Sequence, residues 1–248
     1  MKNKIFHKSG THITYSIQSG KSPYVVFLHG LMSDMNGTKA LAIEEHLKKI
    51  GHGYIRFDCR GHGESGGKFQ NFGINDWAED VSLILNKLTN NPVVLIGSSM
   101  GGWSMLLTAI NHPEKILGLI GIAAAPDFTE NILSRLSKEN LELLTLNGFV
   151  EIPSEYDESP YIISKILIDS GKNNLLLMHE IPINCPVHLF HGSDDEDVPL
   201  ETSLKLIKNL KSDEVQLTLV KNSNHQFSKD GDLKLIFNSI NKMLSVDK

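Results

Sequence analysis

The chain has 248 residues, 40% of them hydrophobic and 21% charged, and its 24 Lys and Arg against 29 Asp and Glu leave a net charge of −5. That length holds one large domain or two small ones, with ample material for a core. A nucleic-acid partner is excluded by the acidic balance and by the scatter of the only arginines, Arg56, Arg60 and Arg135, because phosphate binding needs clustered cationic side chains.

The first eight residues start basic but turn polar before the apolar segment of a signal peptide or the leader of an organelle appears, so the protein is expected to stay in the cytoplasm. Ile13, Tyr15 and Ile17 recur every second residue, the pattern of a strand with one wet face, and residues 24–28 are apolar on both faces, the pattern of a central strand. Ala40, Ile43, Leu47 and Ile50 then fall at helical spacing, and residues 54–57 form another buried strand. A helix through Trp77, Val81, Ile84, Leu85 and Leu88 precedes strands at 92–96 and 116–122. The alternation resumes with a strand at 187–190, a helix through Leu200, Leu204, Ile207 and Leu210, a strand at 215–220 and a helix through Leu233, Ile236, Ile240, Met243 and Leu244. This order predicts a single α/β domain spanning the chain, with a mostly parallel sheet, an antiparallel start and helices on both faces.

One stretch breaks the rhythm. From Thr129 to Asn184, 56 residues read as successive helical pieces without a convincing buried strand, and an insertion of that length predicts a helical lid or cap. The longest apolar run, 117–125, has 9 residues and includes two glycines, short of the 18 or so that a membrane span needs. Cys59 and Cys185 are too few for a disulfide framework and lack the paired spacing of a zinc site, so they read as reduced thiols. No metal or cofactor is expected, and the sequence does not speak to oligomeric state.

Gly61-His62-Gly63-Glu64-Ser65-Gly66 fits the dinucleotide pattern G-x-G-x-x-G after a strand. That chemistry requires a helix to open inside the glycines so that its N-terminus meets a pyrophosphate. Here the loop runs on through Gly67, Lys68 and Gly73, and the nucleotide reading fails.

Gly97-Ser98-Ser99-Met100-Gly101 follows the strand at 92–96 and precedes a helix, as a nucleophile elbow does. The chain reverses so sharply there that only small residues fit at Gly97 and Gly101, and the turn lifts the Ser99 hydroxyl into the open. Ser98 lies one residue off the apex and reads as packing. A serine needs a base and a carboxylate to orient that base, in the order Ser, Asp, His for this topology. Asp195, in the turn after the strand at 187–190, and His225, after the strand at 215–220, are the candidates. The neighbouring acidic residues 194, 196 and 197 read as a solvated loop, and the run lacks the Asp/Asn alternation and glycine of a calcium loop. Oxyanion donors are expected from the backbone N–H of Met100 and of Leu31, the latter in His29-Gly30-Leu31-Met32 at the end of the first buried strand. His29 reads as a structural residue of that turn.

With these residues the chain resembles the α/β-hydrolases from Tyr24 to Leu244. Gly97 to Trp103, Pro113-Glu114-Lys115-Ile116, Ile120-Gly121-Ile122-Ala123 and Pro182 to Pro186 leading into His191-Gly192 are similar to the group of mitochondrial palmitoyl-protein thioesterases that also cleave acyl glucuronides. The resemblance implies Ser99, Asp195 and His225 as a triad. Asp58-Cys59-Arg60-Gly61-His62-Gly63-Glu64-Ser65 has the D-x-R-G-x-G-x-S look of these hydrolases and is expected to shape a pocket rim. The expected reaction is hydrolysis of a small-molecule or lipid-acylated ester or thioester. The alternatives are an amidase or aminopeptidase of the same fold and a non-catalytic binding protein. Ile132, Leu133, Leu136, Leu141, Leu144, Ile162, Ile163 and Ile166 are candidates to wall an acyl pocket, and Trp103 reads as core.

Overall fold

A computed structural model describes residues 2–153 and 160–245. Its strands are β1 (Lys2–Phe6), β2 (His12–Gln18), β3 (Lys21–Leu28), β4 (His52–Phe57), β5 (Val93–Ser98), β6 (Ile116–Ile122), β7 (Phe149–Ile152), β8 (Tyr161–Ser164), β9 (Val187–Asp194) and β10 (Val215–Asn224). Its α-helices are α1 (Thr38–Ile50), α2 (Ile74–Leu88), α3 (Met100–Asn111), α4 (Phe128–Arg135), α5 (Lys138–Asn147), α6 (Lys165–Lys172), α7 (Leu200–Asn209) and α8 (Asp230–Met243). Eight strands form one sheet in the order β1-β2-β4-β3-β5-β6-β9-β10. The β1–β2 and β2–β4 pairs are antiparallel and all later neighbours are parallel.

Alternation along the central strands builds a core on each face. Val26, Leu28 and Leu95 join Trp77 and Val81 of α2 and Trp103 and Leu106 of α3. Val25, Phe27, Val94 and Ile96 join Ala40, Ile43 and Leu47 of α1 and Ile236 and Ile240 of α8. Both faces of β4 and β5 are buried along their whole length, which is why those runs form interior strands. Parallel order also puts the carboxyl ends of β3, β5, β6, β9 and β10 along one rim, where the connecting loops gather.

The segment between β6 and β9 differs from the helical expectation. Besides α4, α5 and α6 it holds an antiparallel pair, β7 with β8, registered Phe149 to Ser164 and Ile152 to Tyr161. Each strand has four residues and pairs only with the other. The segment also has a small core of its own, in which Leu144, Val150, Ile163 and Ile168 are buried and Ile132, Leu133 and Leu136 pack against them. Of the eight proposed acyl-wall residues these account for Leu144, Ile163, Ile132, Leu133 and Leu136; internal packing takes up the first two, which are buried, and the other three in part. Leu141 and Ile166 face solvent, and Ile162 alone of the eight packs on the main core. Among the described residues no helix is long and apolar enough to cross a membrane.

Candidate active site

Ser99 sits between the end of β5 and the start of α3 at φ 53 and ψ −119, a strained backbone that costs about 1–3 kcal/mol and is held only where the surroundings enforce it. Here they do. The Ser99 N–H donates to the Ile122 carbonyl (3.0 Å), and the Ser99 carbonyl accepts from Gly102 (2.9 Å) and Ala125 (3.1 Å). A Cβ on Gly97 would lie 2.5 Å from the Gly101 carbonyl oxygen, and one on Gly101 would lie 2.4 Å from that of Leu28. The crossing of β5, α3 and the end of β3 therefore admits no side chain at either position. Ser99 keeps partial exposure, whereas Ser98 is buried.

Asp195 and His225 follow β9 and β10, which run side by side with Asp194 opposite Asn224. The His225 Nδ1 lies 3.0 Å from Asp195 Oδ1 and 2.9 Å from Oδ2. Asp195 Oδ1 also accepts the N–H groups of Asp197 (3.0 Å) and Val198 (2.9 Å), and its side chain is fully buried. Burial acts to raise the Asp195 pKa, but the hydrogen bond and charge of His225, the Val198 N–H and His191 together outweigh it and hold the carboxyl below its usual range. His191 backs the same turn. Its Nε2 donates to the Val198 carbonyl (3.0 Å) and its Nδ1 pairs with Ser203 Oγ (2.8 Å), while burial pulls its pKa down. The His225 turn is closed by the Phe227 N–H donating to Asn224 (3.1 Å) and anchored by the buried Phe227 ring against Phe190, centroids 5.7 Å apart.

Ser99 Oγ makes no hydrogen bond among the described residues, to His225 or to any other group. Such bonds are often formed only when substrate is seated. The structure thus joins Asp195 to His225 directly, and brings Ser99 to the same rim.

The loop after β3 lies beside the serine. A Cβ on Gly30 would be 3.4 Å from Ser99 Cβ and 4.0 Å from Ser99 Oγ, which puts Gly30, the residue before Leu31, beside the hydroxyl. Met100 opens α3, so its N–H is one of the first-turn donors that have no partner within a helix. Met32 Sδ accepts the Ile162 N–H of β8 at 3.2 Å, tying this loop to the segment between β6 and β9. That segment is tied again where Trp103 Nε1 donates to the Asn174 carbonyl (3.1 Å), and within it the Asp127 carboxylate accepts the N–H groups of Leu176 (2.8 Å) and Leu177 (2.9 Å).

Two features escaped the sequence reading. Lys39, half-buried on α1, donates through Nζ to the carbonyl of Gln226, next to His225; burial brings its ammonium down to about 8 against the upward pull of Asp195 and Asp232. A lysine in the first turn of a surface helix carries no signal of that contact. The other is the burial of Asp58, expected only as part of a pocket rim and here a fully buried carboxylate in the glycine-rich loop. Ligand atoms of Asp195, Asp197 and His225 lie within 4.8 Å of one another, but a cation there would compete with the bond between His225 and Asp195. No helix opens inside the Gly61 to Gly66 run; α2 begins at Ile74.

Comparison with known proteins agrees with this fold. A family model described as serine aminopeptidase, S33, matches residues 21–232. The mitochondrial palmitoyl-protein thioesterase ABHD10 of Homo sapiens is 38% identical over 234 residues, 94% of this chain and 76% of that protein. Among solved structures, α/β hydrolase domain-containing protein 10 from mouse superposes with a TM-score of 0.91 at 34% identity, covering 100% of both chains. A putative hydrolase from Agrobacterium vitis S4 superposes with a TM-score of 0.93 at 34% identity, covering 99% of both.

Proposed function

The chain belongs to the serine aminopeptidase S33 family of α/β hydrolases, and on that premise we propose that it is a serine hydrolase that cleaves carboxylic esters and thioesters through an acyl-enzyme on Ser99. The observation that carries the reading is the pairing of His225 with the buried Asp195 (2.9 Å) on the rim where the strained Ser99 is partly exposed. His225 Nε2 takes the Ser99 proton as Oγ attacks the carbonyl carbon, and Asp195 holds the ring and stabilises its cation. The N–H groups of Leu31 and Met100 receive the oxyanion. Collapse expels the thiol or alcohol, protonated by His225, and water activated by the same ring releases the acid.

The acyl substrate class is supported by relatives named as palmitoyl-protein thioesterases at 38% identity. In this reading the chain is one catalytic domain, and residues 129–184 act as a lid over the site, anchored to it through Met32, Trp103 and Asp127. The family description itself favours a second reading, cleavage of an aminoacyl amide. Rates on matched thioester, ester and amide substrates separate the two. A cytoplasmic location belongs to the same proposal, against thioesterase relatives whose names place them in mitochondria; fractionation that places the protein in an organelle would overturn it.

Wild-type protein should be labelled by a fluorophosphonate on Ser99, and Ser99→Ala should lose both labelling and turnover. Labelling undiminished in Ser99→Ala would sink the assignment. A wild-type protein that neither labels nor hydrolyses any member of an ester and thioester panel would point instead to a binding protein that kept the fold.

A further inference from the structure

The glycine-rich loop after β4 has a task that a pocket rim does not require. Asp58 is fully buried, and its two oxygens face donors from different parts of the chain: Oδ1 accepts the Met35 N–H at 2.7 Å and Oδ2 accepts the Glu64 N–H at 2.9 Å. Met35 lies at the far end of the loop that carries Leu31. At the near end, the Cys59 N–H donates to His29 Nε2 at 3.1 Å. A ring nitrogen that accepts a backbone N–H carries no proton, so the proton of neutral His29 sits on Nδ1, which donates to the Gly30 carbonyl at 2.8 Å. His29 is buried, and burial holds its pKa below the ordinary histidine value, in keeping with a neutral ring.

The Gly30 carbonyl also accepts the Ser33 N–H at 3.2 Å. In a trans peptide the C=O and the following N–H point in opposite directions. Two donors pulling the Gly30 carbonyl to one side therefore turn the Leu31 N–H to the other. We infer that His29 and Asp58 form a clamp that orients the Gly30–Leu31 peptide and so preorganises the Leu31 N–H as an oxyanion donor. This rests on the acyl-transfer reading above and assigns His29 and Asp58 as positioning residues, since neither touches the reacting atoms.

The chemistry of each residue fits the role. Both Asp58 oxygens meet N–H groups, so an amide, with one acceptor and one donor end, would set its NH2 against a donor. Gly63, at φ +49, has room for no side chain, because its Cβ would fall 2.4 Å from the Asp58 carboxyl carbon. The loop is thus wrapped tightly round a carboxylate that serves the neighbouring loop.

The test compares His29→Ala, His29→Gln and Asp58→Asn with wild type in ester and thioester hydrolysis and in binding of an alkyl trifluoromethyl ketone. The ketone adds to Ser99 Oγ and places a stable oxyanion in the hole. His29→Ala and Asp58→Asn should lose about 100-fold in kcat with KM within about threefold, the pattern of a transition-state interaction. Ketone affinity should fall by the same factor. His29→Gln, which offers a donor and an acceptor about as far apart as the ring nitrogens, should recover at least tenfold of that loss.

A folded His29→Ala or Asp58→Asn with kcat and ketone affinity within threefold of wild type would overturn the clamp, as would a change confined to KM. A measurement on the wild type covers the case in which the variants do not fold. In 15N-labelled protein the Leu31 and Met100 amide resonances should move downfield when the ketone binds, with His29 in the Nδ1–H tautomer. A stationary Leu31 amide, or the other tautomer, rejects the inference. Wild type that fails to hydrolyse or label refutes the acyl-transfer reading; variants matching an active wild type refute the clamp alone.

Discussion

Replacing Asp195 with asparagine isolates the role of one oxygen atom. Asp195 Oδ1 accepts two backbone N–H groups, from Asp197 (3.0 Å) and Val198 (2.9 Å), and also lies 3.0 Å from His225 Nδ1, whereas Oδ2 meets only the rings of His225 (2.9 Å) and, more distantly, His191 (3.7 Å). An asparagine must keep its single oxygen at the Oδ1 position, because an NH2 there would face two donors. Its NH2 then occupies the Oδ2 position and donates to His225 Nδ1. Because the Oδ1 position, 3.0 Å from Nδ1, already serves two backbone donors, the contact with the NH2 prevails, the imidazole proton moves to Nε2, the nitrogen that has to take the Ser99 proton, and the base is lost. The same tautomer error in serine proteases costs about 10⁴ in kcat, about 5.5 kcal/mol of barrier. Stability should change little in Asp195→Asn because both backbone donors keep an acceptor. In Asp195→Ala they lose it, and about 1–3 kcal/mol of folding stability should go as well. Steady-state hydrolysis of a p-nitrophenyl ester, the rate of fluorophosphonate labelling and thermal melting read the three effects separately. An Asp195→Asn protein that retains a tenth of wild-type kcat would refute the reasoning.

Two further outcomes follow from the buried groups and from the segment between β6 and β9. His29 and His62 are both held below the ordinary histidine pKa, His29 by burial and His62 by burial and by the neighbouring His29. The unfolded chain therefore binds more protons than the folded one below about pH 6.5, and stability present above that pH is lost as the pH falls, at about 1.4 kcal/mol per unit for each ring. Melting temperature should drop between pH 7.5 and 5.5, and His62→Phe, whose ring suits the contacts with Phe69 and Trp77, should reduce the slope; equal slopes in the two proteins would contradict the assignment of His62. Because Ile162 packs on the main core beside Met32, together with Phe128, Leu167, Leu176 and Leu177 of the same segment, rates on a p-nitrophenyl ester series should rise from short to medium acyl chains. A flat series would argue against an acyl channel under this segment.

Most of the sheet was legible because interior parallel strands have a distinctive composition. In the runs at 24–28, 54–57, 92–96 and 116–122 every residue but Tyr24, Pro92 and Leu117 is buried, and only a strand flanked by two others buries a short run in that way. β1 was not legible: Lys2–Phe6 alternates between exposed and half-buried residues and becomes a strand only by pairing with β2. The β7–β8 pair escaped for a related reason. Its strands are four residues long, apolar enough to fit a helical stripe, and depend on each other's backbone. Ser99, Asp195 and His225 could be picked out because each follows a strand whose place in the order was already readable. Their roles rest on chemistry that position alone does not carry.

Asp58 illustrates the opposite case. A carboxylate among glycines, next to Arg60 and Glu64, has the pattern of a solvated turn, and nothing local reveals that Met35, far back in the chain, will donate to it. The glycines of the same turn imitated a dinucleotide-binding loop, and the resemblance has a physical basis. A phosphate-binding loop uses glycine so that backbone N–H groups can close round an anion that a side chain would block. At Gly63 and Glu64 the backbone closes round an anion as well, with the Glu64 N–H 2.9 Å from Asp58 Oδ2 and no space for a Cβ at Gly63. The pattern in the sequence was therefore a true sign of a cradled anion. The anion is a carboxylate of the protein itself, and the loop it fixes is the one that brings Leu31 to Ser99.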